Sequence, residues 1–141
     1  MYPNQSLRGR FTQEGLTTAS GPKIIVMCYD RIDRDLSEAI SALEACETGR
    51  AHDLLCHAQD IVHELLCMLD LEAWEHAASL SAIYRYTMTL MTRANVTKKP
   101  NEAIVARRLL AELGDAFRQA AVGATTAVTY AEATTQFSVR A

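Results

Sequence analysis

Apolar side chains recur through the middle of this chain at intervals of three and four residues, which marks helices with one buried face. The first stripe is Ile25, Tyr29, Ile32, Leu36, Ala39, Ile40 and Leu43, with Arg31, Arg34, Asp35 and Glu38 falling mainly off it. Leu55, Ala58, Ile61, Val62, Leu65, Leu66 and Leu69 form the second and cleanest stripe, with Asp53, Asp60 and Glu64 on the other side. Ala77, Leu80, Ile83, Tyr84, Leu90, Met91 and Ala94 form a third. Ala103, Ala106, Leu110, Leu113, Phe117 and Ala120 form a fourth.

The breakers agree with four rods. No Pro stands between Pro22 and Pro100, and Gly49 is the only Gly in that stretch. Ser20-Gly21-Pro22 reads as a helix start, because Ser caps well and Pro fits the first turn. Gly49 reads as the residue that closes the first helix. Val96–Pro100 is a connector, and Asn101 is expected to cap the last helix, with Glu102 favoured by the helix dipole. The pattern predicts an all-α, antiparallel four-helix bundle, residues 20–122, with helices at about 21–47, 51–70, 74–96 and 101–122. An N-terminal arm, residues 1–19, mobile or short-helical, precedes it. An Ala/Thr-rich tail, 123–141, follows.

Composition narrows the function. With 141 residues the chain is one domain, and 22 Ala and 15 Leu favour helices. A net charge of -3 and a pI near 5.8 offer no footprint for nucleic acid. No apolar run reaches the ~18 residues of a membrane span, and the N-terminus lacks an apolar signal core, so a cytoplasmic location is expected. The cysteines, Cys28, Cys46, Cys56 and Cys67, include no CxxC pair and read as reduced thiols.

Catalytic signatures are missing. The sequence has no Glu-x-x-His for a di-iron bundle, no phosphate loop, no HExxH and no GxSxG. An enzyme is therefore not expected, nor a cofactor. His52, Cys56, His63 and Cys67 share one side of the second helix. Their stripe is about 22 Å long, too long for one ion. The expectation is that these residues border a helix face and hold no metal.

Three segments carry a resemblance: TTASGPKIIVMCYD at 17–30, AQDIVHELLCMLD at 58–70 and LSAIYRYTMTLMTRAN at 80–95. In order and spacing they resemble the FliS family of flagellar export chaperones. Thr18, Ala19, Ser20, Ile25, Met27, Tyr29 and Asp30 match its first pattern. Ala58, Gln59, Ile61, Val62, Glu64, Leu65, Leu69 and Asp70 match the second. Leu80, Tyr84, Tyr86, Ala94 and Asn95 match the third. The chain departs from the family at Gly21, where Pro is usual, and at Cys28, Arg31, Ala73-Trp74, Thr87, Met91 and Phe117. Most of these departures conserve apolar volume.

The resemblance implies a cytoplasmic flagellin chaperone. It would bind the disordered C-terminal segment of flagellin, which folds to helices on the bundle, prevent premature polymerisation and support export. Its partners would be those flagellin helices and a component of the flagellar type III export gate, with a homodimer left open. Such a groove needs apolar residues beyond one core stripe, and Ile24, Val26, Leu54, Met68, Met88 and Leu109 supply them. The candidate partner contacts are Leu7 and Phe11 of the arm with Ile24, Ile25, Tyr29, Gln59, Val62, Leu66, Tyr84, Met88 and Met91. Tyr29 is also assigned to packing, with its hydroxyl at the surface. The arm either covers the groove or clasps the ligand. Two other readings are an unrelated helical-bundle oligomerisation or interaction module and a metal-binding bundle.

Overall fold

A computed structural model describes residues 21–72 and 75–123. Within them the chain forms four helices: α1 (Gly21–Glu44), α2 (Thr48–Cys67), α3 (Ala77–Thr97) and α4 (Asn101–Gly123). The arm, with Leu7 and Phe11, lies outside the described residues. So do Ser20, Ala73, Trp74 and residues 124–141.

Short links fold the rods back on one another. Only Ala45–Glu47 joins α1 to α2, and only Lys98–Pro100 joins α3 to α4. Such links leave antiparallel neighbours no alternative. Each helix packs on two neighbours in the cyclic order α1, α2, α3, α4. The stripes turn inward as the spacing required. Ile32, Leu36, Leu55, Leu65, Leu80, Met91, Leu113 and Phe117 are all essentially inaccessible. Each such side chain contributes about 1.5–3 kcal/mol relative to exposure.

The first turn differs from expectation. Helix α1 stops at Glu44, and Gly49 sits inside the first turn of α2. The reversing residue is Cys46, at φ 60. The Glu47 N–H reaches the Ala42 carbonyl (2.8 Å) and the Cys46 N–H that of Leu43 (3.1 Å). That is the Schellman closure, made with a cysteine in the left-handed position that glycine usually fills. Lys98 ends α3 in the same left-handed conformation, at φ 57, but by the simpler motif in which its own N–H bonds the Ala94 carbonyl. Asn101 is the first residue of α4 rather than a residue preceding it.

Two acids expected outside are buried. Asp35 is held between Arg31 Nε (3.1 Å) and His57 Nδ1, whose side chains are half exposed at the α1–α2 seam. Glu64 stands three residues after Ile61 and shares its buried flank of α2. Thr87, wholly buried on α3, donates its hydroxyl to the Tyr84 carbonyl (2.8 Å), which removes the cost of a lone polar group there.

Candidate partner interface

Any surface that holds another chain must be built from what the core leaves over. Five of the expected contact residues are core. Ile25, Tyr29, Val62, Tyr84 and Met91 are 0–3% exposed. The heptad-like spacing that drew attention to them is the spacing that turns them inward. Ile24, on the α2-facing flank of α1, is buried as well, at 5%. The Tyr29 hydroxyl is not at the surface: it meets the Tyr84 hydroxyl at 2.6 Å across the bundle diagonal. The Tyr29 ring stacks on Phe117 with centroids 5.3 Å apart. These three aromatics tie α1, α3 and α4 together, and none is available to a partner.

Three expected contacts do reach the α2–α3 surface: Gln59, Leu66 and Met88, each partly buried. The Gln59 amide donates to the Met88 carbonyl (3.1 Å) and to Thr92 Oγ1 (2.7 Å). Asn95 Nδ2 lies 2.8 Å from His52 Nδ1 nearer the loop end. Gln59 therefore acts first as a cross-helix bridge, beside an apolar surface formed by Leu66 and Met88.

The α3–α4 side is more apolar. Arg93 and Glu102 stand 4.0 Å apart at its loop end. Tyr86 and Leu90 lie seven and three residues before Arg93, on its side of α3. Val105 and Leu109 lie three and seven residues after Glu102, on its side of α4. Helical spacing thus lines Tyr86, Ile83, Leu109 and Val105 along one furrow. Ile83, Val105 and Leu109 pack partly buried against the core, and Tyr86 is 52% exposed. Tyr86 lies off the apolar stripe of α3, so periodicity alone does not mark it as a contact. Its position two residues from Tyr84 places it about 160° around the helix from that core tyrosine.

By contrast the α1–α4 side is charged. Asp33 accepts two bonds from Arg107 (2.8 and 3.3 Å), and Asp30 one from Arg118 (2.8 Å). These bonds raise both guanidinium pKa values above the ordinary arginine value, against the opposing effect of burial.

Helix α3 is therefore apolar around more of its circumference than the core requires, with the partly exposed residues on its two flanks. Residues 4–124 match the model of a family described as flagellar protein FliS. The chain belongs to the FliS family. The matched span begins within the arm and ends one residue past α4. No individual curated protein matches the chain. FliS membership carries a flagellar chaperone role, which suits a scaffold with spare apolar surface. Among the described residues, no helix is long and apolar enough to cross a membrane. Nor, among them, does any group of three or more His, Cys, Asp or Glu converge as a metal site.

Proposed function

We propose that this chain is a cytoplasmic, non-enzymatic flagellin chaperone. It binds the C-terminal segment of flagellin, keeps the monomer from polymerising, and presents it to the export gate. The observation that supports this reading is the apolar surplus on α3: Ile83 and Tyr86 toward α4, Met88 toward α2. An unfolded segment that becomes helical lays one apolar face into such furrows. It loses about 2–5 kcal/mol or more to ordering, so the contact must be long. A flank along most of α3 offers about 30 Å, at 1.5 Å per residue.

The contact residues under this reading are Ile83, Tyr86, Val105 and Leu109 on one flank, with Leu66 and Met88 on the other. The aromatic core holds them in place without touching the ligand. Tyr86 is the natural anchor, since a half-exposed aromatic gives up much apolar area for little entropy.

The test compares full-length flagellin with flagellin lacking its C-terminal segment, by calorimetry against this chain. Binding is expected for the first and absent for the second. Equal binding of both would place the recognised element elsewhere on flagellin. Binding of neither would leave the family role without this partner.

A further inference from the structure

We propose that His63 and Cys67 form a two-donor chelate for a thiophilic divalent cation of the zinc class, at the C-terminal turn of α2. The proposal is independent of flagellin binding, and it replaces the expectation that this stripe holds nothing.

Zinc bonds thiolate at about 2.3 Å and imidazole nitrogen at about 2.0–2.1 Å, in tetrahedral array. Those lengths put sulfur and nitrogen about 3.6 Å apart on a shared ion. Cys67 Sγ and His63 Nε2 stand 3.5 Å apart, joined by one helical turn. Both side chains are exposed, so an ion reaches them without any movement of the fold. Electrostatics also favour a cation at this position. Helix α2 ends at Cys67 with no basic residue in its last turn. Its carbonyl end carries partial negative charge that a cation there offsets.

The neighbouring pair shows what an unsuitable site looks like. Cys56 Sγ and the nitrogens of His52 are 3.7 and 3.8 Å apart. The Asn95 amide nitrogen bonds His52 Nδ1, which leaves the ring proton on Nε2. Lys98 Nζ on Asn95 Oδ1 (2.7 Å) holds that amide in this orientation. Burial first, then Asp60 and Asp53, push the Cys56 thiol up, so it keeps its proton. The His63–Cys67 pair has the shorter separation and no such amide bond holding a proton on its nitrogen in the described contacts.

On binding, Cys67 releases its thiol proton to solvent as the sulfur–metal bond forms. The neutral His63 ring donates its Nε2 lone pair, and water completes the shell. With two protein donors the ion exchanges readily and clamps the last turn of α2.

The experiment titrates the reduced full-length chain with Co2+, followed by Zn2+ displacement. A thiolate-to-cobalt absorption is expected in the near ultraviolet, together with a rise in melting temperature. Cys67→Ser abolishes the absorption, and His63→Gln weakens binding by roughly tenfold or more. Cys46→Ser and Cys56→Ser leave both signals unchanged. The substituted side chains are exposed or partly exposed, and circular dichroism checks that each variant is folded. Absorption that survives Cys67→Ser, or that disappears with Cys56→Ser, overturns the proposal. So does the absence of any absorption at millimolar cobalt, which would leave a thiol–imidazole contact and no site.

Discussion

Helix α4 meets its two neighbours through different chemistry. Toward α1 it brings Gly114 against the Tyr29 Cβ, Phe117 onto the Tyr29 ring, and Arg107 and Arg118 onto Asp33 and Asp30. Toward α3 it brings Val105 and Leu109, with Ile83 and the half-exposed Tyr86 alongside. The first seam is specified by ring stacking, close backbone approach and directional bonds. The second is apolar and non-directional, so another apolar face can share it at small cost. Under the proposed function, a scaffold that stays rigid while receiving a flexible partner uses both kinds: the first seam, with its ring stack and close approach, for rigidity, and the apolar one for contact.

The largest loss of stability is expected at the aromatic centre. Tyr29→Ala removes a buried ring, its stack on Phe117 and its bond to Tyr84. A loss of about 3–5 kcal/mol is expected in urea unfolding. Leu109→Ala, on the apolar seam, is expected to cost no more than about 1–2 kcal/mol, because Leu109 is only partly buried. Equal losses would show that the two seams carry the same structural weight.

The opposite contrast is expected for binding. Tyr86→Ala should leave the melt within about 0.5 kcal/mol of the parent, since the side chain is half exposed. If flagellin lies on this flank, its affinity falls by about 2 kcal/mol, roughly thirtyfold in Kd. A variant with unchanged affinity removes the α3–α4 furrow from the proposed interface, whatever its apolar character.

Gly114 lets α4 approach α1 closely at Tyr29. A Cβ there would lie 3.1 Å from the Tyr29 Cβ, an atom fixed to the α1 backbone. Ala restores helix propensity worth about 0.8–1.0 kcal/mol, but it crowds the seam at a cost of about 1–3 kcal/mol. Net destabilisation by about 1 kcal/mol is expected from Gly114→Ala in a thermal or urea melt. In the Tyr29→Ala background the Cβ at 3.1 Å remains while the ring atoms at 3.4 and 3.5 Å are gone, so the same substitution should cost less. An undiminished cost would assign the crowding to the Cβ alone.

The four helices were legible because their stripes are long and nearly free of breakers. The site was less so. Periodicity detects what faces inward, so it gathered Ile25, Tyr29, Val62, Tyr84 and Met91, all of them core. The proposed partner surface lies on the flanks, where one sequence carries no sign of which neighbour a residue will face. Tyr86 and Leu109 become one furrow only once α3 and α4 are placed side by side. The first turn lies before Gly49 for a local reason. Glycine is the usual left-handed cap, yet here the Schellman bonds hold Cys46 in that conformation and Gly49 enters α2. The charge of Asp35 points to solvent, yet it is buried because the half-exposed Arg31 and His57 bond it from the rim of the seam.

The smallest expected effect tests whether the charges of the α1–α4 seam specify the fold or merely decorate it. Asp33 and Arg107 are 43% and 40% exposed, so solvent screens their attraction. Coupling of about 0.2–1 kcal/mol is expected from a double-mutant cycle with Asp33→Asn and Arg107→Gln. The two-pronged geometry favours the upper half of that range. The Arg107 pKa is raised, chiefly by its bond to Asp33. Its contribution is therefore complete below the ordinary arginine value and is lost only as pH rises through the higher folded value. Between neutral and moderately alkaline pH the coupling should stay flat. Salt should erode it, because the Debye length falls from about 10 Å at 0.1 M to about 3 Å at 1 M. The same cycle on Arg93 and Glu102, 4.0 Å apart at the loop end of the apolar seam, should give coupling near zero. If that pair proves as strong as Asp33–Arg107, charge does not distinguish the seams, and the difference between them rests on Tyr29, Gly114 and Phe117 alone.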